Sequence, residues 1–110
     1  MQYERDALIA GLIALAGLLK ANPKLPMPVS PVIAYAFPAK GPDDEMCAEV
    51  DKIAALLGSG IDPEQLPYGH YQTAIEFGPV RYEFTAILAA ARARYAAIDS
   101  YRDSIKIDNP

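Results

Sequence analysis

The chain has 110 residues and a net charge of −4; 52% of its residues are hydrophobic and 22% are charged. This length and composition predict a single folded domain, residues 1–110, and exclude a disordered chain. The lysines and arginines form no basic stripe, so we expect no nucleic-acid partner.

Cysteine and histidine each occur once, as Cys47 and His70. A single cysteine allows no internal disulfide and gives no sign of an oxidising compartment, so we expect a cytoplasmic protein. Zinc sites in proteins are built mainly from cysteine and histidine. We therefore expect no metal and no other cofactor.

The first predicted helix runs from about Tyr3 to Ala21 and is almost entirely apolar. Residues 7–19 read ALIAGLIALAGLL, which is shorter than the roughly 18 residues that a membrane span needs. The preceding MQYERD lacks the basic start of a secretory signal, so we expect a buried helix and no membrane contact.

The apolar stripe of this helix is wider than one small sheet layer can cover. Four leucines at helical spacing suffice to face the domain's own sheet, namely Leu8, Leu12, Leu15 and Leu19. The remaining apolar residues predict a homodimer through this helix. The alternative is that the third predicted helix wraps over it within one chain.

Prolines mark the next elements. The short apolar run VIAYAF lies between Pro31 and Pro38 and predicts a strand in the interior of the sheet. A second helix follows Pro42 and ends at Gly58, and residues 59–69 are predicted to form a loop. The apolar stripe of the second helix comprises Met46, Val50, Ile53, Ala54 and Leu57.

Residues 70–87, HYQTAIEFGPVRYEFTAI, predict a β-hairpin with the two-residue turn Gly78-Pro79. This register sets one buried face, with the pairs Tyr71–Ala86, Thr73–Phe84, Ile75–Tyr82 and Phe77–Val80. The other face is predicted to stay open, with the pairs Gln72–Thr85, Ala74–Glu83 and Glu76–Arg81. Opposed Glu76 and Arg81 form a favourable cross-strand pair.

A third helix is predicted to start near Leu88 and to end in a frayed tail, Lys106–Pro110. Its predicted inner side comprises Leu88, Ala91, Tyr95, Ile98 and either Tyr101 or Arg102. The element order is then α-β-α-β-β-α. A right-handed crossover through the second helix places the third strand between the other two. This predicts a two-layer α+β sandwich, the βαββα part of a ferredoxin-like fold, with an antiparallel or mixed sheet and helices on one face.

Part of the chain resembles small uncharacterised proteins of actinobacteria and their phages or mobile elements. The similar residues are DKIAALLG at 51–58, His70-Tyr71, FGPVRY at 77–82, ARY at 93–95 and Ser100-Tyr101. The resemblance covers about half of the chain. It implies an actinobacterial or phage origin and a mobile-element role, and it carries no catalytic residues.

Three groups of residues are candidates for function. His70 is a candidate general acid or base, although no nucleophile motif accompanies it, and a surface or capping role is the alternative. Glu76, Arg81 and Glu83 on the open face form a candidate docking surface, or simply a solvated face. That face is predicted to lack the exposed aromatic residues that an RNA-binding sheet uses. Acidic residues crowd the start of the second helix: Asp43, Asp44 and Glu45.

Cys47, on the same helix turn as this acidic group, is expected to be unreactive because the neighbouring acids oppose the thiolate. Two functional hypotheses remain. The first is a non-enzymatic protein-interaction module, a homodimer that binds an unknown protein partner through the acidic segment or the open sheet face. The second is a small-molecule-binding or enzymatic domain with a pocket near His70.

Overall fold

The computed structural model describes the backbone of residues 4–108 and the side chains of residues 4–98. The chain divides into two compact units, residues 1–30 and residues 31–110. Helices and strands follow one another in the order α-β-α-β-β-α, which confirms the predicted α+β class. That the whole chain acts as one domain stays a prediction.

The first unit consists mainly of helix α1, Arg5–Ala21. The helix ends at Asn22, whose backbone φ of −125° and ψ of 75° are not helical and whose side-chain amide donates to the carbonyl oxygen of Leu18. The apolar helix is therefore confirmed from Arg5 onward, while Tyr3 lies outside the described residues. No side chain of α1 is buried, so the predicted burial of this helix is not confirmed.

Helix α2, Asp43–Leu57, follows Pro42 as predicted and ends at Gly58. Gly58 has a φ of +67°, a left-handed conformation that glycine adopts without strain from a Cβ. The predicted apolar stripe is largely confirmed, since Met46, Val50 and Ala54 are buried.

Three strands form one sheet in the order β1-β3-β2: β1 (Val32–Ala36), β2 (His70–Phe77) and β3 (Val80–Ile87). β2 and β3 pair antiparallel in the predicted register, from His70 opposite Ile87 to Phe77 opposite Val80. Gly78 has a φ of +61°, which suits the first position of a two-residue hairpin turn. The central place of β3 was also predicted.

The two faces of the sheet follow from side-chain alternation. We call the side with Tyr71, Phe84 and Ala86 the core face, and the side with Gln72 and Thr85 the second face. α2 packs on the core face, where Met46, Val50, Phe84 and Ala86 form the buried cluster.

Burial on the core face decreases toward the hairpin turn. Ile75 and Tyr82 are half-buried, and Phe77 is 65% exposed. The prediction that Phe77 is buried is wrong. The buried cluster lies at the end of the hairpin away from the turn, so the residues beside Gly78 extend past the apolar side chains of α2.

β1 pairs parallel with β3, from Val32 opposite Val80 to Ala36 opposite Phe84. β1 is thus antiparallel to β2, whereas a ferredoxin-like crossover makes those two strands parallel. β1 lies at the edge of the sheet, so the prediction that it is an interior strand is wrong. Tyr35 within it is 64% exposed.

The direction of β1 is explained by the segment between α2 and β2, which the sequence predicted as a loop. Ile61 forms an antiparallel bridge with Thr73, and the Asp62 N–H donates to the Gln72 carbonyl at 2.9 Å. The chain leaving α2 therefore runs beside β2 first. A short 3₁₀ turn, Leu66–Tyr68, then reverses it into β2.

Helix α3, Ala89–Asp108, begins directly after β3. The Leu88 N–H donates to the Gly69 carbonyl at 2.9 Å, and Ala91 is fully buried. Tyr95 and Ile98 are exposed, so only the first turn of the predicted inner side is covered.

The end of α3 differs from its prediction. The helix continues to Asp108, so residues 106–108 do not form the predicted frayed tail. Asn109 and Pro110 lie outside the described residues, as do the side chains of Tyr101 and Arg102.

Candidate functional site

Arg81 bridges two carboxylates on the second face. Its Nη1 lies 2.7 Å from Glu76 Oε1, and its Nε lies 2.7 Å from Glu83 Oε1. The hydrogen bond that Arg81 donates to Glu83 is the main reason that the pKa of its guanidinium is raised; the one donated to Glu76 adds to the rise, and burial opposes it. The predicted cross-strand pair of Glu76 and Arg81 is confirmed.

This charged group is less exposed than the sequence predicted. The exposed fraction of the side chain is 62% for Glu76, but only 26% for Arg81 and 14% for Glu83. Gln72 and Thr85 on the same face are buried, and the Thr85 hydroxyl lies 3.0 Å from Gln72 Oε1. The second face therefore holds an internal polar network, and Glu76 is its freely accessible end.

Aromatic residues also lie on the second face. Tyr35 is opposite Glu83 in the parallel ladder, so both side chains point to the same side. Phe37 follows at the next position on that side, and both rings are exposed. The prediction of a face without exposed aromatic residues is wrong, because the register of β1 beside β3 places the exposed ring of Tyr35 on this side.

His70 starts β2 on the second face and contacts α3. Its Nε2 lies 3.1 Å from Tyr95 Oη, and the two rings are 6.3 Å apart at 47°. The rings are tilted rather than stacked, and the role of His70, as an acid or base or as a surface or capping residue, stays a prediction.

The acidic turn at the start of α2 is partly used to hold α3. Asp43 Oδ1 accepts a hydrogen bond from the Ala89 N–H at 2.9 Å and lies 4.0 Å from Arg92 Nη2. Asp44 and Glu45 are exposed. The predicted interaction residues thus fall on two different elements, the hairpin and the first turn of α2.

Cys47 and Tyr71 lie close to carboxylates of α2. Burial and then the charges of Asp43, Asp51 and Asp44 raise the pKa of the Cys47 thiol. The Tyr71 hydroxyl donates to Asp51 Oδ1, and this hydrogen bond is the main reason that the pKa of Tyr71 is raised to about 12. A raised thiol pKa agrees with the expectation of an unreactive cysteine.

An apolar cleft of about 330 Å³, which the sequence did not predict, lies where β1 and β3 end. Its walls come from four parts of the chain: Phe37, Pro38 and Lys40 after β1, Met46 of α2, Thr85 and Ile87 of β3, and Arg92 of α3. Lys40 and Arg92 add positive charge. A smaller hollow of about 220 Å³ adjoins it along Lys40 and Met46 and is also lined by Glu45 and Glu49. His70 does not line either space.

The sequence carried little signal for this cleft. The position of the cleft depends on the parallel pairing of β1 with β3. The ferredoxin-like arrangement predicted from the crossover rule does not contain this parallel pair. Only the run of small and polar residues from Pro38 to Pro42, between a strand and a helix, marked the region as a loop able to border a ligand.

Among residues 4–108, no helix is long and apolar enough to cross a membrane, and no three His, Cys, Asp or Glu side chains in the described part of the chain converge on one metal position. Comparisons with protein-family models, with curated proteins and with solved structures found no match. The resemblance to actinobacterial and phage proteins stays a prediction.

Proposed function

We propose that this chain is a non-enzymatic protein-interaction module that forms a homodimer through α1. The observation that carries the proposal is the exposure of the apolar side chains of α1. Between Ala7 and Leu19 the helix has no charged or polar side chain. Six large apolar residues of α1 are each 47 to 68% exposed: Leu8, Ile9, Leu12, Ile13, Leu15 and Leu18.

Such a surface is costly in water. Each square ångström of apolar surface removed from water contributes about 25 cal/mol, and monomers rarely leave several hundred Å² exposed in one patch. A two-fold dimer is the commonest way to cover such a patch. Gly11 and Gly17 leave space beside the helix, because an added Cβ at either position meets nothing within 4 Å.

The charges at the two ends of α1 favour a second copy in an antiparallel orientation. Glu4, Arg5 and Asp6 give the N-terminal end of α1 one net negative charge, and Lys20 lies in the last turn. Antiparallel packing sets each Lys20 beside the partner's acidic first turn, whereas parallel packing sets like charges side by side. This complementarity favours self-association over an unrelated apolar partner.

The interaction with a further, unknown protein is assigned to the exposed parts of the second face and of the acidic turn. Glu76 and Tyr35 are exposed on the former, and Asp44 and Glu45 on the latter. Exposed aromatic residues beside charged groups are common in protein interfaces. A cytoplasmic accessory role in a phage or mobile element belongs to this proposal.

Binding rather than catalysis is favoured by the surroundings of His70, whose hydrogen-bond partner is the hydroxyl of Tyr95. We expect His70→Ala to leave the fold, the self-association and the biological effect unchanged. If that change abolished the biological effect while the melting curve stayed the same, the enzymatic alternative would replace this proposal.

Cross-linking tests the proposed dimer contact. In a Cys47→Ser background, Ala14→Cys places a single thiol in the middle of α1, and Lys52→Cys places one on the exposed side of α2 as a matched control. Mild oxidation at micromolar concentration is expected to convert the Ala14→Cys chain rapidly to disulfide-linked dimer. Equal cross-linking rates for the two variants would contradict contact through α1.

A further inference from the structure

The apolar cleft lies at a position that the sheet topology leaves open. β1 and β3 are adjacent and parallel, and each is followed by a helix whose first residue lies beyond the carboxyl end of its strand. α2 packs on the core face, whereas Tyr95 of α3 bonds to His70 on the second face. In doubly wound α/β sheets, ligands bind in a crevice outside the carboxyl ends of the strands where the following helices leave toward different faces, and the ends of β1 and β3 share this feature.

The walls of this crevice are mainly apolar and come from secondary structure. Met46 is buried and belongs to the core cluster, so it forms a fixed floor. Ile87 and Thr85 belong to the central strand, and Phe37 contributes an exposed ring at the entrance. A volume of about 330 Å³ is at the lower end of the range for small-molecule sites.

Two cations border this apolar space. Lys40 makes no ion pair with any residue among those whose side chains the structure describes. Arg92 Nη2 lies 4.0 Å from Asp43 Oδ1, which is beyond hydrogen-bonding distance. The carboxylate of Asp43 is instead bonded to the Ala89 N–H. The guanidinium of Arg92 therefore keeps donors for another anion.

We propose that this cleft binds a small apolar monocarboxylate, with its hydrocarbon part against Met46 and Ile87 and its carboxylate held by Lys40 and Arg92. Charge-assisted hydrogen bonds from a guanidinium or an ammonium to a carboxylate are among the stronger polar contacts. The apolar walls select the hydrocarbon part, and the two cations select an anion over a neutral analogue. The ligand is bound without chemical change.

Octanoate, octan-1-ol and inorganic phosphate serve as probes, used below the concentration at which octanoate forms micelles and followed by backbone amide NMR. We expect octanoate to shift the amides of Thr85, Ile87 and Arg92 at submillimolar concentration. Octan-1-ol is expected to bind at least about tenfold more weakly, because it lacks the charge, and phosphate is expected not to bind.

Charge-removing variants locate the carboxylate. Lys40→Gln and Arg92→Gln are each expected to weaken octanoate binding several-fold without changing the affinity for octan-1-ol, while the control Lys52→Gln leaves both unchanged. The proposal is overturned if octanoate causes no shift at millimolar concentration, or if its shifts are confined to α1. It is equally overturned if the double variant Lys40→Gln/Arg92→Gln binds octanoate as tightly as the natural chain does.

Discussion

Asp43 and Ala89 join the beginnings of α2 and α3. Although 46 positions separate them in sequence, Asp43 Oδ1 accepts a hydrogen bond from the Ala89 N–H at 2.9 Å. Ala89 is the first residue of α3, so this carboxylate caps a helix whose own preceding residue, Leu88, has no side-chain acceptor.

Replacing Asp43 by Ala is expected to lower the free energy of unfolding by about 0.5–2 kcal/mol, the usual cost of losing a helix cap. Asp44→Ala is the matched control, since Asp44 shares the first turn of α2 but is exposed. Urea unfolding of both variants measures the difference. Equal losses would show that Asp43 acts only through the dipole of α2, and the capping role would be wrong.

Alanine substitutions at Gly69 and Gly58 distinguish the stability cost of backbone strain from that of steric overlap. Both have a positive φ, but an added Cβ at Gly69 lies 2.6 Å from Ala91 Cβ, whereas one at Gly58 meets nothing within 4 Å. We expect Gly58→Ala to cost about 1–2 kcal/mol, the left-handed penalty alone. Gly69→Ala is expected to cost clearly more and to loosen α3, as measured by thermal unfolding and amide exchange. Similar costs at the two positions would mean that α3 moves away without penalty.

Glu83 and Glu76 differ in burial although both contact Arg81. Glu83→Ala is expected to lower the free energy of unfolding by about 1–3 kcal/mol, because a half-buried guanidinium loses its main partner. Glu76→Ala removes an exposed partner and is expected to cost no more than about 0.5 kcal/mol. Chemical denaturation of the two variants provides the comparison. A negligible effect of Glu83→Ala would show that the second face is solvated throughout.

The hydrogen bond from Tyr71 to Asp51 predicts that the stability of the folded chain depends on pH. Because the pKa of Tyr71 rises from 10.0 to about 12 in the folded chain, the bond contributes to stability fully below pH 10. Its contribution is lost as the pH rises toward 12. The difference in stability between the natural chain and Tyr71→Phe should therefore shrink across this window.

Ultraviolet titration of the natural chain and of Tyr71→Phe identifies the late-titrating phenol directly. Asp51→Ala removes the largest cause of the shift and should return the pKa of Tyr71 toward its ordinary value. A late titration that persists in Asp51→Ala would assign the shift to something other than this hydrogen bond.

The hairpin could be predicted from sequence because its turn and the alternating residues of its two strands lie next to one another along the chain. A two-residue turn at Gly78 fixes the register, and alternation then assigns every side chain to a face. The extent of burial could not be read in the same way. Phe77 and Glu83 obey the alternation, yet Phe77 is exposed and Glu83 is half-buried, since burial depends on how far neighbouring elements reach along the sheet.

The cleft was missed for a similar reason. The direction of β1 depends on Ile61 pairing with Thr73, a single long-range bridge within a segment whose composition is that of a loop. The segment that contains this bridge brings the chain back beside β2, and the parallel pairing of β1 with β3 brings Phe37, Lys40 and Arg92 to one cleft. No local pattern in residues 59–69 carries this information.

The proposed contact of two copies of the chain through α1 is tested by the mass of the protein in solution. Multi-angle light scattering at about 100 μM, well above a micromolar dissociation constant, measures the mass directly. We expect twice the chain mass of 11.9 kDa for the natural chain, with Ala14→Glu shifted toward monomer or aggregate. A clean 11.9 kDa monomer for the natural chain would contradict it.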